Sequence, residues 1–103
     1  MREYIDVVKV LLENGANVHV DNEDLVKVST MNGQTEMVKL LLDFGADVTI
    51  DNNILLRMSE HDGHKETTEL IKIYMEKYND NLRVELKNKQ DELSELLKKL
   101  HEK

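Results

Sequence analysis

His61-Asp62-Gly63-His64 sets two imidazoles three residues apart with Glu60 and Asp62 alongside, and histidine with carboxylate at short spacing is one way to hold a transition metal. No third and fourth ligand stand out, and a glycine between the histidines marks a turn rather than one ligating face. No metal site is expected. Ser29, Ser59 and Ser94 lack the Gly-x-Ser-x-Gly frame that presents a serine to a base, and there is no cysteine to serve as a thiolate nucleophile. Gly15, Gly33, Gly45 and Gly63 are too far apart in sequence to form one phosphate-cradling loop. His19 and His101 stand alone. With no catalytic, cofactor-binding or metal-ligating constellation, the chain is expected not to be an enzyme and to need no cofactor.

The charge distribution narrows the partner. The net charge of −7 is uneven: residues 1–80 carry −8 and residues 81–103 carry +1. An acidic surface repels phosphate backbones, whose affinity for proteins rests on Lys and Arg displacing counterions, so no nucleic-acid partner is expected. The apolar runs are only a few residues long, too short for a signal peptide or a bilayer span, so no membrane partner is expected either. The lack of cysteine fits a reducing compartment. These features predict an intracellular, cytoplasmic protein.

The elements that position these side chains follow from a repeat. Val8-Lys9-Val10-Leu11-Leu12-Glu13-Asn14-Gly15-Ala16-Asn17-Val18 recurs thirty residues later as Val38-Lys39-Leu40-Leu41-Leu42-Asp43-Phe44-Gly45-Ala46-Asp47-Val48. Ile5, Val8, Leu11 and Leu12 have helical spacing, and Gly15 stands where a left-handed C-cap is needed. Leu25, Val26, Val28 and Ser29 predict a short second helix stopping at Asn32-Gly33, and Met37 to Phe44 a third ending at Gly45. Ile54 to Ser59 repeats the short helix as far as Asp62-Gly63, and Leu70 to Met75 repeats the longer one. Met37, Met58 and Met75 fall at packing positions, as methionine gap-fillers commonly do. Aromatics are only 4% of the chain, so aliphatic side chains and methionine must supply nearly all the core.

The segment Asn32-Gly33-Gln34-Thr35-Glu36-Met37-Val38-Lys39-Leu40-Leu41-Leu42-Asp43-Phe44-Gly45-Ala46-Asp47-Val48 resembles the second half of an ankyrin repeat, and Gly15-Ala16-Asn17-Val18 and Asp62-Gly63-His64 are similar pieces of neighbouring repeats. The cadence Asp51-Asn52-Asn53-Ile54-Leu55-Leu56-Arg57-Met58-Ser59 looks like the divergent ankyrin repeats of giant DNA viruses, which would place the protein in a host-cell cytoplasm. The resemblance implies an all-α fold: a short ankyrin-like stack of about two and a half units over residues 1–80, its first repeat incomplete, followed by an amphipathic helix over residues 81–103. The spacing departs from the usual period of about 33 residues, and the shortfall lies between Val18 and Leu25, so reduced fingers are expected. Asp24-Leu25-Val26-Lys27 and Ile54-Leu55-Leu56-Arg57 replace the family's Thr-Pro-Leu-His opening. Lys65-Glu66-Thr67-Thr68-Glu69 reads as an insertion of three residues before the last long helix. His64 corresponds to a histidine that the family uses structurally at this turn.

The resemblance further implies a protein-binding module that uses loop tips and the concave face of its short helices. Carried over by position, the candidate surface is Asn17, His19, Asp21, Asn22, Glu23, Met31 and Asn32 in one unit, then Asp47, Thr49, Asp51, Asn52, Asn53, His61 and Asp62 in the next. Its acidity suits a protein partner with a basic patch. The alternative is a structural homodimer. Tyr4, Ile5, Val8 and Leu12 lie on a helix with no first-helix partner, and Leu82, Leu86, Leu93, Leu96, Leu97 and Leu100 form a leucine stripe in which 86, 93 and 100 are seven apart, as in a coiled coil. That last helix could cap the stack or pair with a copy of itself. Asn79-Asp80-Asn81 favours a break before it, while the run Ile71, Met75, Tyr78, Leu82, Leu86 would allow one helix throughout.

Overall fold

The computed structural model describes residues 2–102, with the side chains of Arg2, Glu3 and Asn22 outside the description. Five helices follow in order: α1 (Arg2–Glu13), α2 (Val20–Met31), α3 (Thr35–Asp43), α4 (Ile50–His61) and α5 (Lys65–His101). No strand occurs among the described residues, and none of these helices is long and apolar enough to cross a membrane.

The turns explain why the helices stop where they do. At the end of α3 the Ala46 N–H reaches the Leu41 carbonyl at 2.9 Å and the Gly45 N–H reaches Leu42 at 3.1 Å, the paired bonds of a Schellman cap. The same two bonds recur around Gly15, Gly33 and Gly63. Gly33 is the most constrained: its φ is +66°, and a Cβ there would come within 2.5 Å of the His64 ring. Only glycine fits that turn.

The helices stack in two layers. α2 packs on α3 and α4, α4 packs on α5, and α3 lies between α1 and α5, so α2 and α4 form one layer and α1, α3 and α5 the other. Val26, Val38, Leu41, Leu55 and Ile71 are buried between them. Fully burying a Leu or Ile contributes roughly 1.5–3 kcal/mol, so this short series carries much of the stability. Ser29 and Ser59 are also buried, which lets neighbouring backbones approach closely. Ser59 Oγ donates to the Leu56 carbonyl at 3.0 Å and accepts from Thr68 Oγ1 at 2.9 Å, so the Ser59 hydroxyl is satisfied.

Three expectations need correction. First, no residues are inserted before the last helix. α3 starts at Thr35 and α5 at Lys65, and Met37, Val38 and Leu41 are buried as Thr67, Thr68 and Ile71 are, so the thirty-residue register is unbroken. Small threonines occupy core positions there, which hid the register.

Second, α5 does not break at Asn79-Asp80-Asn81 but runs for 37 residues, about 55 Å at 1.5 Å per residue. Met75 stands thirty residues after Gly45, so the left-handed cap is missing. Poor helix formers cost at most about 0.7 kcal/mol each and do not outweigh a helix already propagating into them. Asp80 and Arg83 also pair across one turn at 3.1 Å.

Third, the C-terminal part of α5 does not cap the stack. Every residue from Glu76 to Glu102 is exposed, and the molecule measures 65 × 33 × 20 Å.

Candidate interaction surface

The reduced fingers are left-handed turns. Asp51, Asn52 and Asn53 have φ of 48°, 57° and 63°, three successive residues in the αL region at the start of α4, and Asp21 and Glu23 adopt it at the start of α2. Asn and Asp tolerate this region because their short polar side chains can bond locally. One left-handed turn thus stands where the family carries a β-hairpin.

The residues carried over from the resemblance divide into three groups. Asn17 and Asp47 are exposed but occupied in shaping their loops: Asn17 Oδ1 accepts from the His19 N–H at 2.9 Å, and Asp47 Oδ1 accepts from the Thr49 N–H at 2.9 Å and hydroxyl at 2.7 Å. Asp51 ties the two units together, with its carboxylate 2.6 Å from Lys27 Nζ and its carbonyl accepting from Arg57 at 3.0 Å. His19, Asp21, Asn32 and Asn52 are exposed, and Asn53 is half-buried.

Glu23 corrects the expected surface. It is only 4% exposed, one carboxylate oxygen contacts His19 Nδ1, and the other is buried with no partner among the described residues. It cannot serve as a contact residue at a loop tip. Asn22 lies outside the described side chains.

Met31, His61 and Asp62 form the third group and come together. With Ile54, Arg57 and Met58 they line an open groove of about 460 Å³ between the end of α2 and the exposed side of α4. Met31 is 50% exposed, so a large apolar side chain faces solvent here. Arg57, His61 and Asp62 rim the apolar floor, and His61 Nδ1 lies 3.0 Å from Asp62 Oδ1. Ile54, Arg57 and Met58 were missed from the sequence because their helix was read for one buried face. Ile54, Met58 and His61 lie at i, i+4 and i+7, a second face beside that of Leu55 and Ser59, and this spacing could have revealed them.

The two imidazoles weighed as metal ligands have separate roles. His64 Nε2 donates to the Met31 carbonyl at 3.0 Å, locking the end of α2 to the turn between α4 and α5, while His61 faces Asp62. Among the described residues no group of three or more His, Cys, Asp or Glu side chains is placed to hold an ion.

The opposite layer carries a polar clasp. Asp43 accepts from the Tyr74 hydroxyl and from Lys39 Nζ at 2.9 Å, and Lys77 Nζ sits 4.8 Å from the centre of the Tyr74 ring. Burial pushes the Asp43 carboxyl up, but the bonds from Tyr74 and Lys39 and the nearby lysine charges outweigh it and hold its pKa below 3.8. Burial and the bond to Asp43 raise the Tyr74 pKa above 10.0. The clasp joins α3 to α5 and leaves the groove untouched.

A family model described as ankyrin repeat matches residues 28–53, from the second half of α2 through the left-handed turn of α4. No curated protein and no solved structure gives a match.

Proposed function

We propose that this chain, which carries an ankyrin repeat at residues 28–53, is a protein-binding module that holds its partner across the groove between α2 and α4. Ankyrin repeats are generally protein-interaction modules. The observation that carries the reading is the convergence of Met31 from one unit with Ile54, Met58 and His61 from the next on an exposed apolar floor. Apolar anchors ringed by polar groups are where binding energy concentrates in protein interfaces. Asp62 lines this groove and residues 1–80 carry −8, so the partner segment carries an apolar side chain flanked by Lys or Arg.

Capture from the native cell tests this. A partner held by the 103-residue chain should be lost with Met31→Glu and with Ile54→Lys, and kept when Leu86, Leu93 and Leu100 are made polar. A partner that ignores both groove substitutions would place binding elsewhere.

A second reading, self-association as a structural homo-oligomer, is favoured by the exposure of Tyr4, Val7 and Leu11 on α1 and of the leucines of α5.

A further inference from the structure

We infer that the exposed half of α5 pairs with the same segment of a second copy of this chain, the two helices running antiparallel with residue 82 of one beside residue 100 of the other. This rests on the self-association reading and goes beyond it by fixing which segment pairs and in which direction.

The helix is ready-made. α5 runs unbroken out of the stack, and Thr67, Thr68 and Ile71 bury its start, so the fold has already met the nucleation cost that an isolated segment of this length would bear. From Glu76 to Glu102 every residue is exposed, the leucines among them. An apolar stripe of that length left in water marks an association surface. Its spacing is that of a two-stranded seam: Leu86, Leu93 and Leu100 fall at one set of heptad positions, and Leu82, Lys89 and Leu96 at the other. Lys87, Asp91, Glu95, Lys98 and Glu102 fall outside the seam and its flanks, so they meet solvent in either direction of pairing.

Charge decides the direction. Parallel pairing sets Lys89 against Lys89 inside the seam, and its flanking positions bring Glu85 to Gln90 and Glu92 to Leu97, with no ion pair. It also holds two stacks of −8 next to each other. Antiparallel pairing removes these conflicts. With 82 beside 100, Leu86 faces Leu96 and Lys89 faces Leu93, so the lysines separate and each can reach Glu92 of the other copy. Glu85 meets Lys99 of the other copy, twice by symmetry. The two Glu92 side chains approach at the two-fold axis, and the lysines beside them offset that contact. The stacks lie at opposite ends, with the two Met75 residues about 50 Å apart at 1.5 Å per residue, several screening lengths at physiological ionic strength. Such a dimer is closed, and its interface uses no residue of the α2–α4 groove.

Light scattering tests the pairing and disulfide trapping its direction. Wild type should give twice the 12.0 kDa mass of the chain. Leu86→Gln with Leu93→Gln and Leu96→Gln, all at exposed positions and keeping helix propensity, should give a monomer whose stack melts as in dilute wild type. The chain has no cysteine, so single ones report which residues meet. In a glutathione redox buffer, an equimolar mixture of Leu82→Cys and Leu100→Cys should form the mixed disulfide in several-fold excess over either homodisulfide. Glu85→Lys alone and Lys99→Glu alone should each pair several-fold more weakly, and mixing the two should restore the affinity, because both ion pairs re-form between unlike copies. A monomeric wild type would overturn the inference and the self-association reading together. A dimer that survives loss of the leucines, a mixed disulfide in no excess, or a charge mixture no tighter than its components would overturn the inference and leave self-association standing.

Discussion

At the scale of single residues, equivalent positions in successive units differ in what surrounds them, and stability should follow the surroundings. Leu41 and Leu11 stand thirty residues apart, but Leu41 is buried and Leu11 is more than half exposed. Leu41→Ala should cost about 2–5 kcal/mol, the usual penalty for a cavity in a packed core, and Leu11→Ala under about 1 kcal/mol. Urea denaturation of dilute protein checks both. The Asp43–Tyr74 pair gives a pH signature. Asp43 has a depressed pKa, so its contribution is present above 3.8 and fades as pH falls through the lower folded value; Tyr74 has a raised pKa, so its contribution is present below 10.0 and fades as pH rises through the higher folded value. The stability gap between wild type and Tyr74→Phe should therefore be widest between these limits and shrink on both sides. A gap that is flat with pH would show that the hydroxyl bond is not the source. The glycine caps were legible in the sequence, because each answers a local steric demand. The burial of Glu23 was not: an acid in a polar loop reads as exposed, and only the packed turn encloses it.

At the scale of elements, helix periods were legible and helix ends were less so. α3 falls within two residues of its expected limits because an apolar stripe and a glycine cap define it. The starts of α2 and α4 were obscured by left-handed turns, which carry no apolar period. α5 shows the competition most clearly. Three poor helix formers predicted a stop, but they bring no glycine to reverse the chain, and the favourable residues on both sides carry the helix through. Since Glu76 to Glu102 make no buried contact, ending the chain after Asp80 should shift the urea midpoint by less than about 0.5 kcal/mol of stability when the protein is dilute enough to be monomeric. A larger loss would mean that the tail supports the stack. Circular dichroism should still register the missing helix.

At the scale of the whole molecule, the charge separation becomes a property of association. The stack carries −8 and the last 23 residues +1. Exposed complementary charge mainly accelerates encounter, and at physiological ionic strength it acts over about 8 Å. The association rate with the natural partner should therefore fall several-fold between roughly 0.05 and 0.5 M salt, with a smaller change in the dissociation rate. Stopped-flow measurement would decide it, and a salt-independent on-rate would remove charge from the account of recognition. Of the residues expected at the partner surface, Met31, His61 and Asp62 share one groove, which Ile54, Arg57 and Met58 also line.

By itself the sequence determined the local units, the thirty-residue spacing of the first two and their ankyrin-like character, because helix periodicity and left-handed caps depend on near neighbours alone. Only the tertiary structure decided which apolar faces close and which stay open. The same leucine is core when a neighbouring helix covers it and surface when none does, and no local pattern distinguishes Leu11 from Leu41.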